Sequence, residues 1–259
     1  MRRAAARTAR QLLTRVVLLT CASLQFMLRS CAEARGMRVT FMPKPFAHRT
    51  GSGAHVHVSA WTLPSAGGGE AQRNLFADAS GELGLSPLAY SFMAGVLSSA
   101  EALCALTNPT VNSYKRINGA VTRSGATWSP NTVTYAGNNR THRVRIPDGG
   151  RFEFRLPDGA ANPYLMHAGL LAAGLNGVAA GAHPGPRFDA NFYEEKPPPG
   201  VRTLPGNLLD ALRALQADAP LRARLGDDCV DAYVKLKMAS WREYCAHLSR
   251  WELDTTLDV

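Results

Sequence analysis

Three short segments of this chain alternate polar and apolar residues with a period of two, and that pattern limits what they can become. In "AHVHVSAW", His55, His57 and Ser59 alternate with Val56, Val58 and Ala60. In "RFEFRLP", Arg151, Glu153 and Arg155 alternate with Phe152, Phe154 and Leu156, and in "HRVRIP", Arg143 and Arg145 alternate with Val144 and Ile146. Successive side chains of a strand point to opposite faces, so each segment is predicted to be a strand with one face for packing and one for chemistry. A single strand of this kind reads as a satisfied or solvent-facing polar row. Three together do not look like a solvated sheet face, which mixes Lys, Glu, Thr and Ser. Imidazoles, a lone carboxylate and several guanidiniums point to a divalent metal beside an anionic substrate. The planar forks of Arg145, Arg151 and Arg155 suit phosphate or an amino-acid carboxylate better than a hydrolytic zinc centre.

The surrounding segments supply a frame. "MRVTFMPKPF" is predicted to be a strand closing at Pro43 and Pro45, and "AHRTGSG" the loop after it. Ser86 and Pro87 form an N-cap and first-position pair for a helix running to Asn108 and Pro109. "NPYLMHAGLLAAGLNGVAAG" reads as a nearly all-apolar, buried helix. Val230, Val234, Met238, Trp241, Tyr244, Leu248 and Trp251 recur every three or four residues, which predicts one long amphipathic helix over 228–252 used for core or subunit contact. Residues 183–206, rich in Pro and Gly, are a surface loop. Antiparallel strands with helices packed on one side make an α+β architecture.

The net charge of +9 over 259 residues raises nucleic acid as a partner, but its distribution argues otherwise. Arg2, Arg3, Arg7, Arg10, Arg15 and Arg29 precede the first acid, Glu33, and the rest of the chain is nearly balanced. Neither a nucleic-acid nor a membrane partner is expected: the longest apolar stretch, residues 16–28, is short of the ~18 residues a span needs and is interrupted by Thr20, Ser23 and Gln25. The Arg- and Ala-rich start reads as an organellar transit peptide or an aberrant start of the frame. A cytoplasmic location is therefore expected, or a mitochondrial or plastid one if the start is a transit peptide. Five cysteines without CxxC spacing read as reduced, structural thiols.

In order along the chain, "FMPKPF", "GSGAHVHVS", "NPTVNSYKRIN", "NNRTHRVRIP" and "GRFEFRLPDGAANPYL" resemble the catalytic domain of glutamine synthetase. "SGATW" at 124–128 and the ending "WELDTTLDV" are similar to its type III-like branch, which includes γ-glutamylmethylamide synthetase-like ligases. The resemblance covers residues 37–259, leaving 1–36 as an Arg-rich leader with a short helix. It implies a glutamine synthetase catalytic-domain-like antiparallel sheet packed by helices and truncated on its N-terminal side. The implied reaction is ATP-dependent: the γ-carboxylate of L-glutamate is phosphorylated, and ammonia or a small amine such as methylamine displaces the phosphate. Magnesium or manganese is the implied cofactor.

Roles follow by resemblance. His55 and Glu153 are similar to metal ligands bridging nucleotide phosphates. His57, Ser59, Arg145 and Arg151 resemble ATP contacts. Gly51, His55, Arg116, Arg140 and Arg155 resemble the glutamate site, and Gly53 allows the same close backbone approach as Gly51. Arg140 and Glu153 are the implied catalytic groups, with Arg140, Arg145 and Arg151 holding phosphate. Tyr193 sits where some bacterial members carry an adenylylated tyrosine, and is read as a plain loop tyrosine.

Two departures stand out. The family has an N-terminal β-grasp domain and strands carrying four further metal-binding carboxylates, which residues 1–36 do not supply. With two of six protein ligands, the isolated chain is expected to hold metal weakly. Where the family places a glutamate in its flap, this sequence has Trp128, which cannot accept a proton; a small organic amine is therefore the expected nucleophile. The resemblance also implies a homo-oligomeric ring with sites between subunits, whose assembly is in question without the N-terminal domain. Two other readings stand beside the ligase: a catalytically inactive relative kept as scaffold or regulator, and an unrelated HxH metal hydrolase, which would need a third ligand.

Overall fold

The computed structural model of the chain describes residues 21–63, 71–119 and 129–258. Four strands, β1 (Val56–Val58), β2 (Tyr135–Ala136), β3 (Val144–Asp148) and β4 (Arg151–Phe154), form one sheet in the order β1-β4-β3-β2. The β1–β4 and β3–β4 pairs are antiparallel, as the alternation predicts. The β2–β3 pair is parallel, so the sheet is mixed. The cause is local: Asn139 Oδ1 accepts the Thr141 N–H at 2.9 Å, winding 137–143 into a compact loop that returns the chain in its original direction. A tight β3–β4 turn is possible because Gly150 adopts φ +84, a left-handed conformation that costs glycine little.

The apolar residues of these strands face helices. Phe152, Phe154, Val144 and Ile146 are buried and pack in one core with Phe76, Phe92, Leu103 and Leu106. The sheet's other face carries the chemical row. This division between faces is what the period-two pattern demands.

Helix α1 is helical over 21–33, and α2 (Pro87–Ser98) starts at Ser86, whose side chain accepts the Ala89 N–H. The helix predicted to run unbroken to Asn108 bends by 75° at Ser99, giving a separate α3 (Ala100–Thr107). The bend lets α2 pack on α5 (Pro163–Ala179) while α3 packs on α6 (Leu208–Ala217). Helix α4 (Val111–Ile117) opens with a Thr110–Ser113 capping box. Helix α5 is only half sunk in the core: Gly169, Leu170, Ala173 and Gly177 are buried, but Tyr164, Leu171 and Leu175 are exposed. Among the described residues, no single helix is long and apolar enough to cross a membrane.

Two further expectations change. Residues 37–46 form no strand; Pro43 and Pro45 cannot donate ladder hydrogen bonds, and the segment is instead clamped by Asn112, which accepts from Lys44 N at 2.7 Å and donates to Lys44 O at 3.0 Å. The C-terminal stripe is two helices after α7 (Ala219–Leu225): α8 (Asp227–Ala246) and α9 (Arg250–Thr256), the latter begun by a Ser249–Glu252 capping box. Val230 and Val234 are buried, whereas Tyr244, Leu248 and Trp251 are exposed. Residues 183–206 form the expected loop, without a helix or named strand.

Helices α2 and α5 cross where Gly95 meets Gly177. A Cβ on Gly177 would lie 2.1 Å from Ser91 O and 2.5 Å from Gly95 N, both backbone atoms that cannot yield without separating the helices. Gly177→Ala is therefore expected to destabilise the fold by ~2–3 kcal/mol in a denaturant titration, whereas an unchanged midpoint would show that the helices are not held this closely.

Candidate active site

The functional face is organised around Glu153. Register places His57 of β1 and Arg145 of β3 directly beside it on its two neighbouring strands. The side chains then lean diagonally. Glu153 Oε2 accepts from Arg145 Nη1 at 2.8 Å, and Oε1 accepts from Arg155 Nη1 at 3.1 Å. His55 Nδ1 lies 3.0 Å from the same Oε1. His57 Nδ1 accepts from Arg151 Nη1 at 2.9 Å, and Arg151 also grips Asp148 through Nε and Nη2, at 2.7 and 2.6 Å. Arg145 Nε donates to Asn138 Oδ1 at 2.8 Å, joining the cluster to the 137–141 turn. The sheet thus brings His55, His57, Arg145, Arg151, Glu153 and Arg155 into one array.

Charge settles the protonation states. Burial alone would raise the Glu153 carboxyl, but hydrogen bonds and charge from Arg145 and Arg155 overcome it and bring it down to about 2. His55 is lowered to about 4, chiefly by burial and then by Arg155, which together outweigh the attraction of Glu153. At neutral pH the pair is thus a carboxylate and a neutral imidazole, the forms in which both bind metal.

The pair fits a hard divalent ion as two of its ligands. Donors at ~2.0–2.1 Å in adjacent corners of an octahedron lie about 3 Å apart, and the His55–Glu153 separation is 3.0 Å. They do not make a full cage: among the described residues, no group of three or more His, Cys, Asp or Glu could hold an ion. His57 is committed to Arg151 instead.

Arg116 lies next to this array. It is 4% exposed, and Nη1 donates to Leu156 O at 3.0 Å. A Cβ on Gly53 would come within 3.0 Å of both Arg116 Nη2 and His55 Nε2, and one on Gly51 within 2.5 Å of Pro43 O. Glycine at these positions lets the backbone lie directly over the guanidinium. Arg140 and Ser59 stand further out. Arg140 is exposed beside a cleft of about 520 Å³ lined also by Asn138, Asp189 and Tyr193, whose hydroxyl donates to Arg140 O at 3.4 Å. Ser59 Oγ accepts from Trp61 Nε1 at 3.0 Å. Trp128 lies outside the described residues.

Arg143 departs from the row assigned to it. It is completely buried on the helix side, with its guanidinium 6.0 Å from the centre of the Phe154 ring, because β3 begins only at Val144 and the alternation does not extend back to it. Sequence reasoning missed Asp148 and Asn138, which orient Arg151 and Arg145, and the buried pair Asn108 and Asp158. The "NPT" and "PDG" punctuation around the last two was readable as turns but not as polar groups turned inward.

These states set the acid response. His55, lowered below its ordinary 6.5, resists protonation that the unfolded chain accepts, so stability present above pH ~6.5 is lost as pH falls toward 4. Glu153, lowered from 4.5 to about 2, continues the loss below that window. An NMR titration is expected to place the His55 midpoint near 4; a midpoint near the ordinary 6.5 would contradict the burial of His55 and the packing of Arg155 against it.

Residues 20–256 match the family described as "Glutamine synthetase, catalytic domain". Over 239 residues the chain is 52% identical to a glutamine synthetase of Rhizobium leguminosarum bv. phaseoli, covering 91% of this chain and 53% of that protein. It is 44% identical over 233 residues to a glutamate–methylamine ligase of Methyloversatilis universalis, covering 88% of this chain and 50% of the relative. A solved structure described as "GmaS/ADP complex-Conformation 1" superposes with a TM-score of 0.86 at 56% identity, over 94% of this chain and 55% of that one. The chain spans about half the length of the curated relatives it matches. With a matched domain running almost end to end and the fold to go with it, the chain belongs to the glutamine synthetase catalytic-domain family.

Proposed function

We propose that this chain carries the catalytic half of an ATP-dependent ligase that joins an amine to the γ-carboxylate of L-glutamate. The observation that carries this reading is the convergence of His55, Arg145 and Arg155 on Glu153 within 3.1 Å. Such a cluster can take up a divalent ion and surround the phosphates it accompanies with guanidinium groups. A bound magnesium or manganese ion would neutralise phosphate charge next to His55 and Glu153.

The chain's own residues do the rest by position and charge. Arg145 and Arg151, on adjacent strands, present positive charge to the nucleotide phosphates, and His57 is oriented by Arg151 at the same end of the row. Arg116, beneath Gly51 and Gly53, binds a carboxylate of glutamate, with Arg155 on the other side of His55. Arg140, at the rim of its cleft, steadies the phosphoryl group in transfer. Preorganised cations lower the barrier because they need not reorient as charge moves from nucleotide to acyl phosphate. The amine then attacks the acyl carbon and phosphate leaves. Trp128, apolar where the family has a glutamate, favours an amine that carries a methyl group over bare ammonium; the amine attacks as its free base, and the proton it sheds passes to water or to the departing phosphate. The glutamate–methylamine ligase among the relatives supports that preference. A homo-oligomer with sites shared between subunits belongs to the same reading.

The competing role is that of a scaffold without nucleotide chemistry. Isothermal titration with ADP and Mn²⁺ separates the two: the 259-residue chain is expected to bind the pair, and Glu153→Ala to weaken binding about tenfold or more. A chain that binds neither ADP nor Mn²⁺ would favour the scaffold.

A further inference from the structure

Beneath Gly51 and Gly53 the protein buries a second carboxylate that the chemistry above does not use. Asp158 is 1% exposed. Its Oδ2 accepts from Asn108 Nδ2 at 2.9 Å and its Oδ1 from Ala160 N at 3.0 Å. The same amide nitrogen of Asn108 donates its other proton to Leu156 O at 3.1 Å, the carbonyl that also receives Arg116 Nη1 at 3.0 Å. Asp158 N donates to Thr107 O at 3.2 Å, and Asp158 pairs across an isolated bridge with Gly53. One buried turn therefore ties together the end of α3, the loop before β1 and the guanidinium at the site.

Such an arrangement is costly unless it has a use. Burial pushes the Asp158 carboxyl up, against the pull of Asn108, Arg116 and Ser113. Burial likewise lowers Arg116, and Asp158 is the first charge to counter it. Among the described residues, no carboxylate is in ion-pair contact with Arg116. A direct bidentate pair would consume the donors a ligand needs. A carboxylate held one amide away compensates the charge and leaves Nη2 turned toward Gly53 and His55.

We propose that Asp158 is a positioning residue for the substrate's carboxylate: through Asn108 and the Leu156 carbonyl it aims the Arg116 guanidinium at the Gly53–His55 turn and balances its charge from behind. This rests on the reading of Arg116 as a glutamate-binding group. Asp158→Asn keeps the size and the acceptor for Ala160 N but removes the charge and the acceptor for Asn108.

The test uses the full chain labelled with ¹⁵N-arginine. In the wild type the Arg116 terminal nitrogens are expected to give separate signals, because rotation of the guanidinium is hindered, and in Asp158→Asn to merge. Isothermal titration is expected to show L-glutamate binding weakened about tenfold, with ADP and Mn²⁺ binding changed less than about twofold. Should Asp158→Asn fail to fold, Asn108→Ser, which removes the bridging amide and leaves the carboxylate, carries the same expectation. Unchanged Arg116 signals, or glutamate and nucleotide affinities falling together, would overturn the proposal. A wild-type chain that takes up no L-glutamate while its Arg116 signals merge in the variant would count against the ligase reading, and leave Asp158's hold on Arg116 standing.

Discussion

The site depends on one carboxylate surrounded by positive charge. Glu153 is 4% exposed, and an ionised group so placed persists only because Arg145 and Arg155 supply charge-assisted hydrogen bonds to both of its oxygens. The same two bonds fix where the guanidiniums stand. His55 is kept neutral by its surroundings and rests 3.0 Å away, so a carboxylate and a free-base imidazole share one small volume. Remove Glu153 and the buried Arg155 and half-buried Arg145 would repel each other across the sheet.

The helix side of the sheet has the complementary task. Phe152 and Phe154, each completely buried, anchor β4 in the core, so Glu153 and Arg155, which alternate with them, must face the other way. Close passage of α2 and α5 at Gly95 and Gly177 brings the helical layer near enough to seal that core. Packing on one face thus sets the geometry of chemistry on the other.

Much of this was legible in the sequence where geometry leaves no choice. Period two along "HVHVS" and "RFEFR" correctly placed His55, His57, Glu153 and Arg155 on one face, because side-chain direction in a strand follows position alone. The rule failed one residue beyond a strand's end, at Arg143, where loop backbone turned the side chain into the core. It also could not show that the β2–β3 pair is parallel, since that follows from how Asn139 folds the intervening loop. Cap and proline signals found the span of α2 and α3, and helix periodicity that of α8, but neither showed the breaks at Ser99 and His247, which tertiary packing and local capping decide. Asp158 and Asn108 were hidden for another reason: a turn signal marks where the chain bends, not which polar side chain it buries.

The central claim is energetic, that Glu153 and Arg145 hold each other in place in the partly dry interior of the site. A double-mutant cycle measures it most directly, comparing the unfolding free energies of the wild type, Glu153→Gln, Arg145→Met and the double variant. Coupling of roughly 1–3 kcal/mol is expected for charged, hydrogen-bonded neighbours. Additive effects, with coupling near zero, would mean that the two side chains do not depend on each other and that the charged array is not the organising feature of this protein.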